Sequence, residues 1–408
     1  MKSVTRHVED VLARIRPLPP FGQHLLDAHG HRLAEDVASP RDVPLFDNSA
    51  MDGYAVRRID VLGADAQQPA LLTIAYETPA GDPPGRELGP GECARIMTGA
   101  PVPPGADAVV PVEWTDGAAE GVVRIHQAPE PGGHIRRTGE DVRTGQRLLS
   151  AGTLLGARQI GLLAAVGIDL VAVRPSPRVV IISTGSELVA PGTEPGPGQI
   201  PDSNSFTLAA AAHEAGATAY RVGAVGDENK TLLSTIEDQL VRADLVVTSG
   251  GVSVGAYDVV KDALSALGTV AFERVAMQPG MPQGFGVVGP DEVPIFTLPG
   301  NPVSAYVGFE LFVRPAIRQM LGCEDVHRPT VEAVCTQALK SPAGRRQFLR
   351  GRAEAAESGR IEVRPVGGPG SHLMGGLAQA NCLIAVPEDV TRTEAGDTVS
   401  VLVLEEFR

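Results

Sequence analysis

Five segments of this chain end apolar runs with glycine, proline and acidic residues, and this placement is the first sign of chemistry. RVVIIST (178–184) runs into Gly185-Ser186-Glu187, and ATAYRVGAV (217–225) into Gly226-Asp227-Glu228. DLVVTS (244–249) runs into Gly250-Gly251 and on to Asp258. AFERVAM (271–277) leads into Gln278-Pro279-Gly280-Met281-Pro282, and VPIFTLP (293–299) into Gly300-Asn301-Pro302. Ligands of an open α/β sheet bind beyond the carboxyl ends of its strands, so these loops are expected to converge on one small-molecule site. Gly250, Gly251 and Gly300 let the backbone approach a ligand, and N–H groups at the following helix starts favour an anion. Pro302 stands where a first-turn proline belongs. Glu187, Asp227 and Asp258 would then bring three carboxylates close to that anion. The conflict is relieved if Mg²⁺ sits on the carboxylates and the phosphate oxygens together. A lone Asp after a strand also serves as a turn former or cap, and a single GG loop does not name a ligand.

A second constellation is DVPLFDNSAMDGYAVR (42–57), where Asp47, Asn48, Ser49, Met51, Asp52 and Tyr54 surround Ala50 and Gly53. It carries more turn chemistry than one hairpin needs. RIMTGAPVPPGADAVVPVE (95–113) contributes Thr98 and Asp107, and RRTGEDVRTG (136–145) sets Glu140 and Asp141 beside Arg136 and Arg137. The last segment also reads as a solvated, salt-bridged linker.

The elements that must position these residues follow from pattern. Strands and helices alternate from 176 to 322, which implies a doubly wound, mostly parallel α/β domain. Short runs such as LLTIAYE and GVVRIHQ between Gly/Pro clusters mark 41–140 as an inserted small β domain. Residues 1–40 with 141–175 read as an N-terminal helical and linker domain. Val4, Val8, Val11, Leu12 and Ile15 share one helical stripe there. A second short helix is expected over 22–29, and GARQIGLLAAVG is expected to pack back on the first. Residues 323–408 read as a C-terminal β domain.

The 408 residues carry a net charge of −14, which disfavours a surface that coats nucleic acid. Only four lysines occur (Lys2, Lys230, Lys261, Lys340), so nearly all positive charge is arginine. The four cysteines (Cys93, Cys323, Cys335, Cys382) form no CxxC pair and suggest neither a zinc site nor a disulfide frame. No signal-type segment or membrane-spanning run is read, so a cytoplasmic protein is expected. No GxGxxG is read as following a strand, and no Walker-type GxxxxGK[ST] or HExxH motif occurs. His372 is the one histidine in a site-like loop.

Taken in order, DNSAMDGYAVR, IMTGAPVPPGADAVV, RTGEDV, STGSEL, PDSN, TSGGVSVGAYD, LPGNPVS and GSHL resemble the molybdopterin molybdenumtransferase family (MoeA in bacteria, the gephyrin E domain in eukaryotes) over essentially the whole chain. The resemblance implies a four-domain homodimer with each site shared between subunits, and a middle domain like that of the molybdopterin adenylyltransferases. The implied reaction is Mg²⁺-dependent insertion of molybdate into adenylylated molybdopterin, releasing AMP and molybdenum cofactor. Matching motifs give Asp52, Asp141, Glu187, Asp227 and Asp258 as catalytic, the last three also as metal ligands. Thr98, Ser249, Gly250, Gly251, Ser253, Gln278, Pro299, Gly300, Pro302, Arg345, Arg350 and Ser371 fall on substrate-binding positions. Transient contact with a molybdopterin adenylyltransferase or with molybdoenzyme chaperones fits the same resemblance.

One departure bears on the anion. Many family members carry two lysines in a KPGKP loop, where this chain has Gln278 and Met281, and by sequence Lys261 is the one lysine near the site. Arginines and backbone N–H groups hold the oxyanion instead, or its affinity is lower, or the chain is a paralogue. An adenylyltransferase and a non-catalytic scaffold remain the alternative functions.

Overall fold

The computed structural model describes residues 1–226, 229–251, 260, 263, 264, 269–357 and 359–407. Asp227, Ser253, Asp258 and Lys261 lie outside the described residues. The chain divides into two compact units, Gly22–Ala172 and the combination of Met1–Phe21 with Val173–Arg408.

The larger unit is built on a six-stranded sheet. In chain order its strands are Arg178–Thr184, Thr218–Val225, Leu245–Ser249, Val270–Arg274, Pro282–Val288 and Val293–Leu298, and in space they lie 2-1-3-6-5-4. The first, second, third and sixth pair in parallel, and Pro282–Val288 runs against both of its neighbours. Alternate residues of these strands face opposite layers. Val179, Ile181, Val247 and Phe296 pack with the helix Asn204–Ala215 and the helical run from Pro302 to Met320, while Val180, Ile182, Val246 and Ile295 pack with the helix Asn229–Leu240. The doubly wound, mostly parallel α/β domain expected from the sequence is therefore present, with a flanking β-rich sheet. Pro282–Val288 was not expected as a strand. Its glycines are demanded by neighbours: a Cβ would lie 1.9 Å from Thr297 Oγ1 at Gly284 and 2.2 Å from the Thr269 carbonyl at Gly286.

The C-terminal strands form a second six-stranded sheet in the same unit, and its longest member, Arg346–Ala355, was also unexpected. Met277–Gln278 joins this sheet by pairing with Arg346 and Gln347. Glu310, buried in the helical run, takes Arg328 at 2.8 Å.

The N-terminal helix, Val4–Leu12, is capped by Ser3. Its Val4 and Val11, with Ile15 beyond it, join the core under the α/β domain. The helix Ala157–Ala165, expected to pack back on the first, belongs to the smaller unit. The short helix expected over 22–29 is absent. Phe21–His24 is extended and pairs with Leu170–Arg174, since Leu25 donates to Asp169 O and sheet pairing overrides weak local helicity. The smaller unit contains a six-stranded sheet that includes Gly53–Val56, Ala70–Thr78, Glu92–Ile96 and Ala108–Pro111.

Candidate functional site

In the larger unit three of the five expected loops start side by side at the carboxyl edge of the α/β sheet. Gly250 donates to Leu298 O at 3.0 Å, and Thr184 Oγ1 donates to Ser249 O at 3.3 Å. These bonds join the loops that follow three adjacent strands. Gly250 has φ +105°, and a Cβ there would lie 2.5 Å from the Thr184 carbonyl, so a glycine is required. A Cβ on Gly300 would stand 3.5 Å from the Gly250 Cα.

Two residues that sequence reasoning passed over organise this edge. Asp202 is 4% exposed, accepts from Ser183 Oγ at 3.0 Å and Ser205 Oγ at 2.6 Å, and so fixes the entry to the helix Asn204–Ala215. The Asn204 amide donates to Ser249 Oγ and to Gly300 O, both at 2.7 Å. One side chain thus ties two ligand loops together, and the PDSN motif was the only signal that could have exposed it. The Glu187 carboxylate lies over Gly185, where a Cβ would meet it at 2.5 Å. It is exposed and has no hydrogen bond or ion pair among the described residues.

The Gln278–Met281 loop also reaches this edge. Gln283 Nε2 donates to Gly280 O at 2.7 Å, and a Cβ on Gly280 would be 3.3 Å from Ser304 O. At Pro302 the expected helix start is present, with Pro302 in its first turn. Its Val303 N–H, however, donates to Ser371 O at 2.9 Å, so that donor serves the fold and not an anion.

Arg350 is 4% exposed, and its guanidinium donates to the carbonyls of Val366, Gly368 and Gly370. It shapes the 366–371 loop that carries Ser371, and burial pushes its pKa below the usual arginine value. Arg345 is half-buried without a bonded partner among the described residues. Lys2 approaches the segment before Gln278: its N–H donates to Arg274 O at 3.0 Å, and it accepts from Ala276 at 2.7 Å. Its chain distance from the site hid this from the sequence.

In the smaller unit Asp52 accepts from Thr98 N at 2.7 Å and Thr98 Oγ1 at 2.8 Å. The backbone N–H and then the hydroxyl of Thr98 hold this carboxyl below the ordinary Asp range. Asp47 and Asp42 do the same with Thr138 and Thr144. Arg137 Nη1 reaches Asp47 at 2.6 Å, and Val43 bridges Val142. The 136–145 stretch is thus an ordered partner of 42–49. Asp141 is exposed, and its N–H donates to Val43 O at 3.1 Å. Asp52 and Thr98 are brought together here, while Asp141 shares no bond with either.

Fold and site define a multidomain protein built on a doubly wound α/β ligand-binding domain. Comparison with known proteins makes this specific. A profile for the MoeA N-terminal region (domain I and II) matches residues 2–167, one for a probable molybdopterin binding domain matches 180–319, and one for the MoeA C-terminal region (domain IV) matches 332–404. Molybdopterin molybdenumtransferase 2 of Mycobacterium tuberculosis is 47% identical over 407 residues, covering 98% of this chain and 99% of its own length. The Haemophilus influenzae molybdopterin molybdenumtransferase is 38% identical over 379 residues, covering 93% and 92%. The crystal structure of a MoeA protein from Pyrococcus horikoshii has a TM-score of 0.86 at 33% identity and covers 99% of both chains. The chain belongs to the MoeA family of molybdopterin molybdenumtransferases.

Proposed function

We propose that the protein inserts molybdate into adenylylated molybdopterin and releases AMP, giving molybdenum cofactor. The observation that carries this reading is the joined set of loops at the carboxyl edge, in a chain matched end to end by molybdenumtransferases. Backbone at Gly250, Gly251 and Gly300 offers close approach to a pyrophosphate or pterin, and Asn204 holds the Ser249 and Gly300 loops in register. Positioning and preorganised charge suffice for much of phosphoryl chemistry.

Mg²⁺ belongs to the same reading. Three carboxylates are hard oxygen donors suited to it, and the Glu187 carboxylate, without a partner among the described residues, fits that use, with Asp227 and Asp258 as its partners. Bound there, the cation would neutralise phosphate charge. Asp52, Thr98 and Asp141 act from the partner subunit of a homodimer, and substrate passes in through transient contact with the adenylyltransferase that makes it. The four-part division at 40, 140, 175 and 322 and a cytoplasmic location complete the proposal.

The test is incubation with adenylylated molybdopterin, Mg²⁺ and molybdate, following AMP. Release that needs all three is expected, and Asp258→Asn should abolish it. No release would favour a scaffold, and a fully active Asp258→Asn protein would reject the metal role.

A further inference from the structure

We propose that Arg274 is a binding residue for the free tetrahedral oxyanion substrate. The inference rests on the proposed insertion reaction and deepens it. The Gln278–Met281 loop closes one flank of the carboxyl edge, packed toward Ser304, and contributes no charge of its own. Arg274 ends the strand Val270–Arg274, opposite Pro282, and its Nη2 lies 3.6 Å from Met281 Sδ. The guanidinium is exposed, and this thioether, a weak acceptor, is its one bonded partner among the described residues.

The backbone around Arg274 is pinned, while its head has no carboxylate partner among the described residues. Glu273, the adjacent acid, faces the other side of the strand, where Lys2 Nζ holds it at 2.7 Å. That ammonium is shared with Asp10 at 2.6 Å. Lys2 also brackets Arg274 through bonds to Arg274 O at 3.0 Å and from Ala276 N at 2.7 Å. A guanidinium without a carboxylate presents a planar fork of donors that matches two oxygens of a tetrahedral dianion.

The test is calorimetric titration of the intact protein with sodium molybdate, with sulfate as control, alongside the kinetics of AMP release. Arg274→Ala is expected to weaken molybdate binding about tenfold, the loss of one charge-assisted contact. The KM for molybdate should rise in step while that for adenylylated molybdopterin stays unchanged. Adding Met281→Lys to Arg274→Ala places an ammonium where the sulfur now touches the guanidinium, and should recover most of the affinity. Should Arg274→Ala fold poorly, Arg274→Gln keeps the stem and gives the same readout. Unchanged molybdate affinity, a defect confined to the nucleotide-bearing substrate, or a wild-type protein that binds no molybdate would each overturn the proposal. Arg274-dependent molybdate binding without AMP release would instead sink the insertion reaction and leave this site standing.

Discussion

The 42–52 stretch of the smaller unit and the carboxyl edge of the larger unit treat charge in opposite ways. In the first, Asp42, Asp47 and Asp52, five residues apart, each accept both the N–H and the hydroxyl of one threonine, at 2.7–3.0 Å. Nearby dipoles saturate the carboxylates and keep them ionised. At the edge, Asp202 is buried and satisfied by serines, Arg350 is buried against carbonyls, and Asn204 spans two loops, whereas among the described residues the Glu187 carboxylate has no partner and Arg274 only a thioether. One region completes its own electrostatics, and the other leaves two exposed charges without an ionic partner among the described residues. This difference teaches that an acid held by local N–H groups is a fixed anion at neutral pH, unsuited to donate a proton.

The sharpest way to break the comparison is to disturb the backbone of each region. A Cβ on Gly53 would lie 2.0 Å from the Val110 carbonyl of the paired strand. Gly53→Ala should therefore destabilise the smaller unit by at least about 3 kcal/mol, read by denaturant unfolding. Gly250→Ala meets Thr184 O at 2.5 Å in a loop, and should cost activity more than stability. An equal loss of stability in both would dissolve the distinction.

A smaller effect is expected from Asn204→Ala, which strands two partners. It should cost about 1–3 kcal/mol in stability, with a fall of about tenfold in kcat/KM for AMP release. Asn204→Asp, with two acceptors facing Gly300 O, should be no better. A kcat/KM unchanged in both variants would show that the loop tie is dispensable.

The smallest effect concerns pH. Asp42, Asp47 and Asp52 have lowered folded-state pKa values. Their contribution is fully present above the unfolded carboxyl value of about 4 and drains as pH falls through the lowered ones. Hydrogen exchange should show the 42–52 and 136–145 segments loosening between neutral pH and pH about 3. Thr98→Val keeps the backbone donor and should move the Asp52 titration upward slightly, as NMR would show. A carboxyl that does not move would mean the hydroxyl contributes nothing.

Much of the larger unit was legible because parallel strands buried on both faces are written as continuous apolar runs, as in RVVIIST and DLVVTS. Pro282–Val288 was not, since Gln, Gly and Pro dominate it. It is a strand because neighbouring side chains and backbone fill the space its glycines leave. Arg346–Ala355 was hidden by its arginines, one of which, Arg350, is buried through carbonyls from a loop 16 to 20 residues away. The Glu187, Gly250 and Gly300 loops were visible as loops, but not the Asn204 amide that binds two of them.

The order of residues determined the doubly wound domain, the positions of the turns and which segments bear acid, because periodicity and glycine placement act over a few neighbouring residues. Tertiary structure alone decided which charges are consumed and which stay unpaired. Asp52 is committed to Thr98, and Lys2 to Glu273 and Asp10, while Arg274 meets only a thioether among the described residues. Such pairings depend on distances between segments tens to hundreds of residues apart, which no local pattern encodes.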